Sequence, residues 1–146
     1  MREIEAKKIS VAVKDLALKA NFYLRKDVLS ALKKALTLER EPSAKRILKI
    51  IIDNAKIARA ERLPICQDTG IAEVFCTIGQ SVHVKDDIGK AITEGIRLAY
   101  AQGFLRKSVV SDPILRKNTN TNTPCVIHYD IVKGDKIKLT VLPKGF

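Results

Sequence analysis

Tryptophan is absent from this chain, and aromatic residues of every kind amount to only 5%. Platforms that stack nucleobases draw on such rings, so the scarcity weighs against a single-strand nucleic-acid surface. Cysteine is almost as sparse. Cys66, Cys76 and Cys125 are odd in number and contain no C-x-x-C pair, which argues against a disulfide framework and a self-contained zinc site. No apolar run approaches a membrane span, because Lys or Asp interrupts each one. The opening Met1-Arg2-Glu3-Ile4-Glu5 lacks the apolar segment of a secretory signal. The expectation is a cytoplasmic protein with reduced thiols.

Positive charge is what the chain has in excess. Lys and Arg number 27 against 16 Asp and Glu, a net charge of +11. Such a chain attracts anions, whether nucleic acid, an acidic partner subunit or a small polycarboxylate, and charge alone does not choose among them. Pairs such as Lys33-Lys34 and Lys45-Arg46 fall on solvated helix faces. Hydrophobic residues at 46% of 146 suffice for one compact domain spanning residues 1–146.

Apolar periodicity divides the chain. Val13, Leu16, Ala17 and Ala20 recur at helical spacing, and Val28, Leu29, Leu32, Ala35 and Leu36 repeat the pattern, with Asp27 as candidate cap. Pro42 breaks the pattern. Ser43 is the candidate cap of a third helix carrying Ile47, Leu48, Ile51, Ile52 and Ala55, which should end near Arg62, before Pro64. Apolar around much of its circumference, this helix is expected to be central or to form an interface. A loop over residues 63–70 leads into a β run from Ile71 to Ile78, stopped by Gly79. Asp86 and Asp87 then open a helix with Ile88, Ala91, Ile92, Gly95, Ile96 and Ala99 on one face and Gly103 at its end. Residues 104–124 look irregular. Cys125 to Val132 reads as a strand, and Gly134-Asp135 with alternating Ile137, Leu139 and Val141 gives a hairpin signal. The class is α+β: a helical amino-terminal half, then a small mixed or antiparallel sheet with one further helix.

The chemistry-bearing residues gather at Cys66-Gln67-Asp68-Thr69-Gly70. A thiolate is a soft ligand for iron–sulfur clusters, an adjacent carboxylate can take a proton, and an adjacent amide can donate to a substrate oxygen. The same five residues would equally serve as a half-buried cysteine in a turn whose Asp and Thr satisfy the backbone. Cys76 shares a strand face with Val74 and Ile78 and reads as a core thiol, and Cys125 opens an apolar strand where a small residue would also serve. His83 sits in a connector and His128 in a strand.

The segment Pro64-Ile65-Cys66-Gln67-Asp68-Thr69-Gly70 resembles the signature of class I fumarases and of the alpha subunits of two-subunit fumarases and L-tartrate dehydratases. Leu105-Arg106-Lys107-Ser108 is similar to that family's Leu-Arg-x-Ser segment. Asp112-Pro113, Arg116, Asn118, Asn122-Thr123-Pro124 and Ile127-His128 resemble its next block, and Gly134-Asp135-Lys136 with Pro143-Lys144-Gly145-Phe146 its following hairpin. The resemblance implies an iron–sulfur-dependent hydro-lyase acting on a small dicarboxylate, fumarate to malate first and L-tartrate dehydration next. It implies a [4Fe–4S] cluster held by three cysteines, with Cys66 as one metal ligand. Gln67 and Asp68 would face substrate, Asp68 would act in proton transfer, and Arg106 would grip a carboxylate. The chain is expected to be the amino-terminal part of an alpha subunit. Its partners would be the remainder of that subunit and a beta subunit or domain, in a homo- or hetero-oligomer. With one of three ligands, it should bind no intact cluster alone. The rival reading is a non-catalytic basic nucleic-acid-binding module, resting on charge.

Overall fold

The computed structural model describes residues 1–66 and 70–145. In chain order the elements are β1 (Arg2–Glu5), α1 (Ala6–Phe22), α2 (Lys26–Leu38), α3 (Pro42–Glu61), β2 (Ile71–Gly79), β3 (Val82–Lys85), α4 (Ile88–Gln102), β4 (Val126–Val132) and β5 (Ile137–Lys144). The fold is α+β, with helices dominating the first half. Two compact units are present: Met1–Ala20 with Asp68–Phe146, and Asn21–Gln67. None of the helices, among the described residues, is long and apolar enough to cross a membrane.

The first unit is organised by β2. Its alternation turns Ala72, Val74 and Cys76 into the core and Phe75 outward. Ile9, Val13 and Ala17 of α1, Ala91, Ile92, Ile96, Ala99 and Tyr100 of α4, and Leu105 complete the buried apolar set. Each fully buried Ile or Val is worth roughly 1.5–3 kcal/mol over exposure. Gly95 allows α4 to approach α1, since a Cβ there would lie 2.6 Å from the Ser10 carbonyl oxygen. Asp87 caps α4 by accepting from the Lys90 N–H at 2.9 Å, as its position before the apolar run predicts.

The hairpin signal near Gly134 is corrected by the sheet order, β4-β2-β5. β2 lies between the two strands, parallel to β4 and antiparallel to β5. The short connection from β4 to β5 therefore passes over the end of β2 instead of forming a ladder of its own. Gly79 makes this possible: its N–H donates to the Lys136 carbonyl at 2.8 Å, and a Cβ would sit 2.4 Å from the Gly134 oxygen. Gly134 itself has φ 123°, open to glycine and strained for other residues. A second, two-stranded sheet pairs β1 with β3 in parallel, an arrangement with no apolar alternation strong enough to announce it.

The second unit holds α2 and α3. Two expected caps are corrected. Helix α2 starts at Lys26 after Arg25, whose guanidinium reaches back over the turn to the Asp27 carboxylate at 2.6 Å, so Asp27 sits inside the first turn. Helix α3 is capped by Glu41, which accepts from the Ser43 N–H, while Pro42 takes a first-turn position where a missing N–H costs nothing. Arg62 ends α3 in the left-handed region with φ 53°. The expectation of a central third helix is also corrected: α3 buries Ile52, Ala55 and Ala58 and leaves Ile47, Ile50, Ile51 and Ile57 exposed.

Candidate functional site

Gln67, Asp68 and Thr69 lie outside the described residues, so the geometry of the Cys66–Gly70 segment is read from its two ends. The leading end is fixed within the second unit. After the left-handed turn at Arg62, the Leu63 N–H donates to the Ala58 carbonyl at 3.1 Å and the Ile65 N–H to the Asn21 carbonyl at 2.8 Å. The Cys66 N–H then donates to Oδ1 of Asn54 at 3.0 Å. Cys66 is exposed, yet its backbone is bonded in place. Sequence reasoning missed Asn54. Its one signal is an amide in the middle of a helix, where Asn is disfavoured unless its side chain has work elsewhere.

The trailing end is fixed within the first unit. The Gly70 N–H donates to the Lys144 carbonyl at 2.8 Å, and the Gly70 carbonyl accepts from Nδ2 of Asn122 at 3.5 Å.

Arg106 belongs to the stretch that follows α4. Leu105 anchors it, being 5% exposed with its N–H bonded to the Tyr100 carbonyl. Beyond Arg106, the Lys107 carbonyl accepts from Nδ2 of Asn118, and the N–H groups of Ser108 and Val109 both donate to Oδ1 of Asn122. An exposed guanidinium is thus carried on backbone held at both sides. Among the described residues it pairs with no carboxylate, leaving its planar fork available for a bidentate anion.

The three thiols differ sharply. Cys76 is buried and Cys125 half-buried, and burial pushes both thiols up, away from the thiolate form. At Cys125 the Thr93 hydroxyl, 3.9 Å from Sγ, partly offsets this. Cys76 faces the core and Cys125 is half-buried, so Cys66 is the one thiol that stands exposed. Cys66, exposed on its helix-anchored segment, fits one corner of a thiolate-held cluster. Among the described residues no further group of His, Cys, Asp or Glu assembles around a metal position. The residues present therefore fit a single ligand and not a whole site.

Tyr100 is fully buried, and burial raises its phenol pKa. The side-chain amide of its neighbour Asn122 tempers that rise. Among the described residues the Tyr100 hydroxyl meets no hydrogen-bond partner at ordinary distance. His83 is exposed on β3, and His128 stacks on Phe75 with ring centroids 4.7 Å apart, on the sheet face away from the core. An open hollow of about 390 Å³ beside the amino end of α4 is lined by Lys7, Ser10, Asp87, Lys90 and Glu94, and among the described residues neither Cys66 nor Arg106 lines it. The basic residues Lys33, Lys34, Lys45 and Arg46 are exposed.

The second unit thus offers an exposed thiol on anchored backbone, a soft metal ligand, and the first unit offers an exposed arginine on a clamped loop, a donor to anions. The sequence model of the family described as Fumarate hydratase (Fumerase) matches residues 10–146, and the chain belongs to that family. It is 37% identical over 145 residues to the "Putative L(+)-tartrate dehydratase subunit alpha" of Methanocaldococcus jannaschii, covering 94% of this chain and 50% of that protein. It is 31% identical over 109 residues to "Fumarate hydratase class I, anaerobic" of Escherichia coli, covering 73% of this chain and 20% of that protein. To "Fumarate hydratase 2" of Leishmania major it is 29% identical over 126 residues, covering 84% of this chain and 22% of that protein. The chain thus spans half the length of the first of these relatives and about a fifth of the other two.

Proposed function

We propose that this chain is the amino-terminal part of an iron–sulfur-dependent hydro-lyase alpha subunit that reversibly hydrates a small dicarboxylate, with fumarate to malate as the first reading. The observation that carries the proposal is the contrast among the thiols: Cys66 is exposed and anchored, Cys76 and Cys125 are withdrawn, and the family is that of fumarate hydratase. In this reading Cys66 gives one of three thiolates to a [4Fe–4S] cluster, and the other two come from chain beyond these residues. When bound, such a cluster supplies a Lewis-acidic iron that polarises a substrate hydroxyl. Asp68 takes or returns the carbon-bound proton, Gln67 donates to a substrate oxygen, and Arg106 holds a carboxylate through paired N–H donors. A beta subunit or domain completes the enzyme, as the "subunit alpha" in the archaeal relative's name suggests.

Dehydration of L-tartrate is the second reading, favoured by the 37% identity that runs over 94% of the chain. The test is anaerobic reconstitution, with iron and sulfide, of a longer alpha chain together with its beta partner, followed by turnover of fumarate and of L-tartrate. The expected result is an oxygen-sensitive brown protein active on one of the two diacids, with Cys66→Ser losing both colour and activity. Turnover of fumarate by the 146-residue chain alone, or full activity in Cys66→Ser, would overturn the proposal. Salt-dependent binding to arbitrary duplex DNA at micromolar levels, with no turnover in any assembly, would favour the basic-module rival instead.

A further inference from the structure

Asn122 is a fully buried amide in a loop otherwise rich in exposed polar residues. Its backbone lies in the left-handed region with φ 58°, which Asn tolerates better than most side chains. Burying an amide costs free energy unless its donor and acceptor are both used. Here they are. Oδ1 accepts from Ser108 N–H at 2.6 Å and from Val109 N–H at 3.0 Å, while Nδ2 reaches the Gly70 carbonyl at 3.5 Å. The two acceptor bonds are the strong arm, and the long bond to Gly70 is the weak one. The strong arm holds the backbone two and three residues after Arg106. The weak arm holds the residue that closes the segment containing Gln67 and Asp68. Ser108 and Gly70 stand 14 and 52 residues from Asn122 in sequence.

We infer that Asn122 is a positioning residue: a single buried amide that holds the Arg106-bearing loop and ties it to the Gly70 backbone, and so fixes the loop from which the carboxylate grip is made. The inference rests on the proposed function, which gives Arg106 its role. The chemistry demands Asn. Asp has the two acceptor positions but, when ionised, no donor for Gly70. Glycine accepts the left-handed backbone without strain and supplies neither arm.

Asn122→Gly and Asn122→Asp in the assembled, cluster-loaded enzyme test this, with amide hydrogen exchange of the 146-residue chain as a second readout. In Asn122→Gly, exchange at Ser108 and Val109 should accelerate about tenfold or more while Val74 and Ile92 keep their protection. KM for the diacid should rise about tenfold to a hundredfold, with kcat changed less and cluster content unchanged, as expected when a binding group is displaced. Asn122→Asp should restore protection at Ser108 and Val109 and recover part of the KM. A wild-type KM in Asn122→Gly would overturn the inference and leave the proposed function standing. A wild-type assembly without turnover on either diacid would sink both. If Asn122→Gly loses protection throughout its core, Asn122→Asp decides, and a KM equal to wild type there, without any change at Gly70, overturns the inference.

Discussion

Helices α3 and α4 carry similar apolar periodicity but meet different fates. Helix α4 buries Ala91, Ile92, Gly95, Ile96, Ala99 and Tyr100 along one face. Helix α3 is longer, yet it buries only Ile52, Ala55 and Ala58, and Ile50 is 62% exposed. Periodicity reports that a face is apolar, and only packing reports that it is covered. The difference also bears on chemistry. The exposed thiol is held by Asn54 on the sparsely buried α3, whereas Cys76 belongs to the strand at the centre of the densely buried unit.

The largest effect expected from this contrast is in thiol reactivity. Cys66 should react with a maleimide in the native protein, while Cys76 should react only through opening, about a thousandfold more slowly. Mass-resolved labelling kinetics check this, and equal rates would erase the distinction. Next comes stability. Ile92→Ala should cost about 2–5 kcal/mol by urea unfolding, and Ile50→Ala should stay within roughly 0.5 kcal/mol. A large loss at Ile50 would mean that α3 is covered after all. A smaller effect belongs to the caps: Asp87→Ala should cost about 1 kcal/mol, read from the same unfolding curves.

The smallest is a pH effect on the buried unit. Burial raises the thiol of Cys76 above its ordinary value of 9.0. As pH climbs past that value the unfolded chain releases the proton first, while the folded chain still holds it. The folded state then binds more protons, so stability falls with rising pH in this window. Cys76→Ala should flatten the alkaline slope of the urea midpoint, and an unchanged slope would assign it to the phenols of Tyr100 and Tyr129, which burial also raises.

Much of the local structure was legible in the residues. Pro42 marked the break before α3, Asp87 the start of α4, and alternation at Ile137, Leu139 and Val141 the strand β5. Cys66 and Arg106 stood out because their neighbourhoods resemble a known family. Asn54 and Asn122 did not, because each acts on backbone that is remote in sequence: 12 residues for Asn54, and 13 to 52 for Asn122. Asp27 and Ser43 misled for a related reason, since a good capping residue one or two positions inside a helix looks the same in sequence as one at its edge.

The sequence by itself determined helices α1 to α4 and the strands β2, β4 and β5, which of their faces are apolar, and which short segment holds the thiol, amide and carboxylate; it did not announce β1 and β3. These follow from interactions between residues a few positions apart. Tertiary structure alone decided the rest: that β2 enters between β4 and β5, that Gly79 must lack a side chain beneath Gly134, and that much of the apolar surface of α3 stays exposed. Strand order and burial depend on contacts between distant residues, and no local period encodes them.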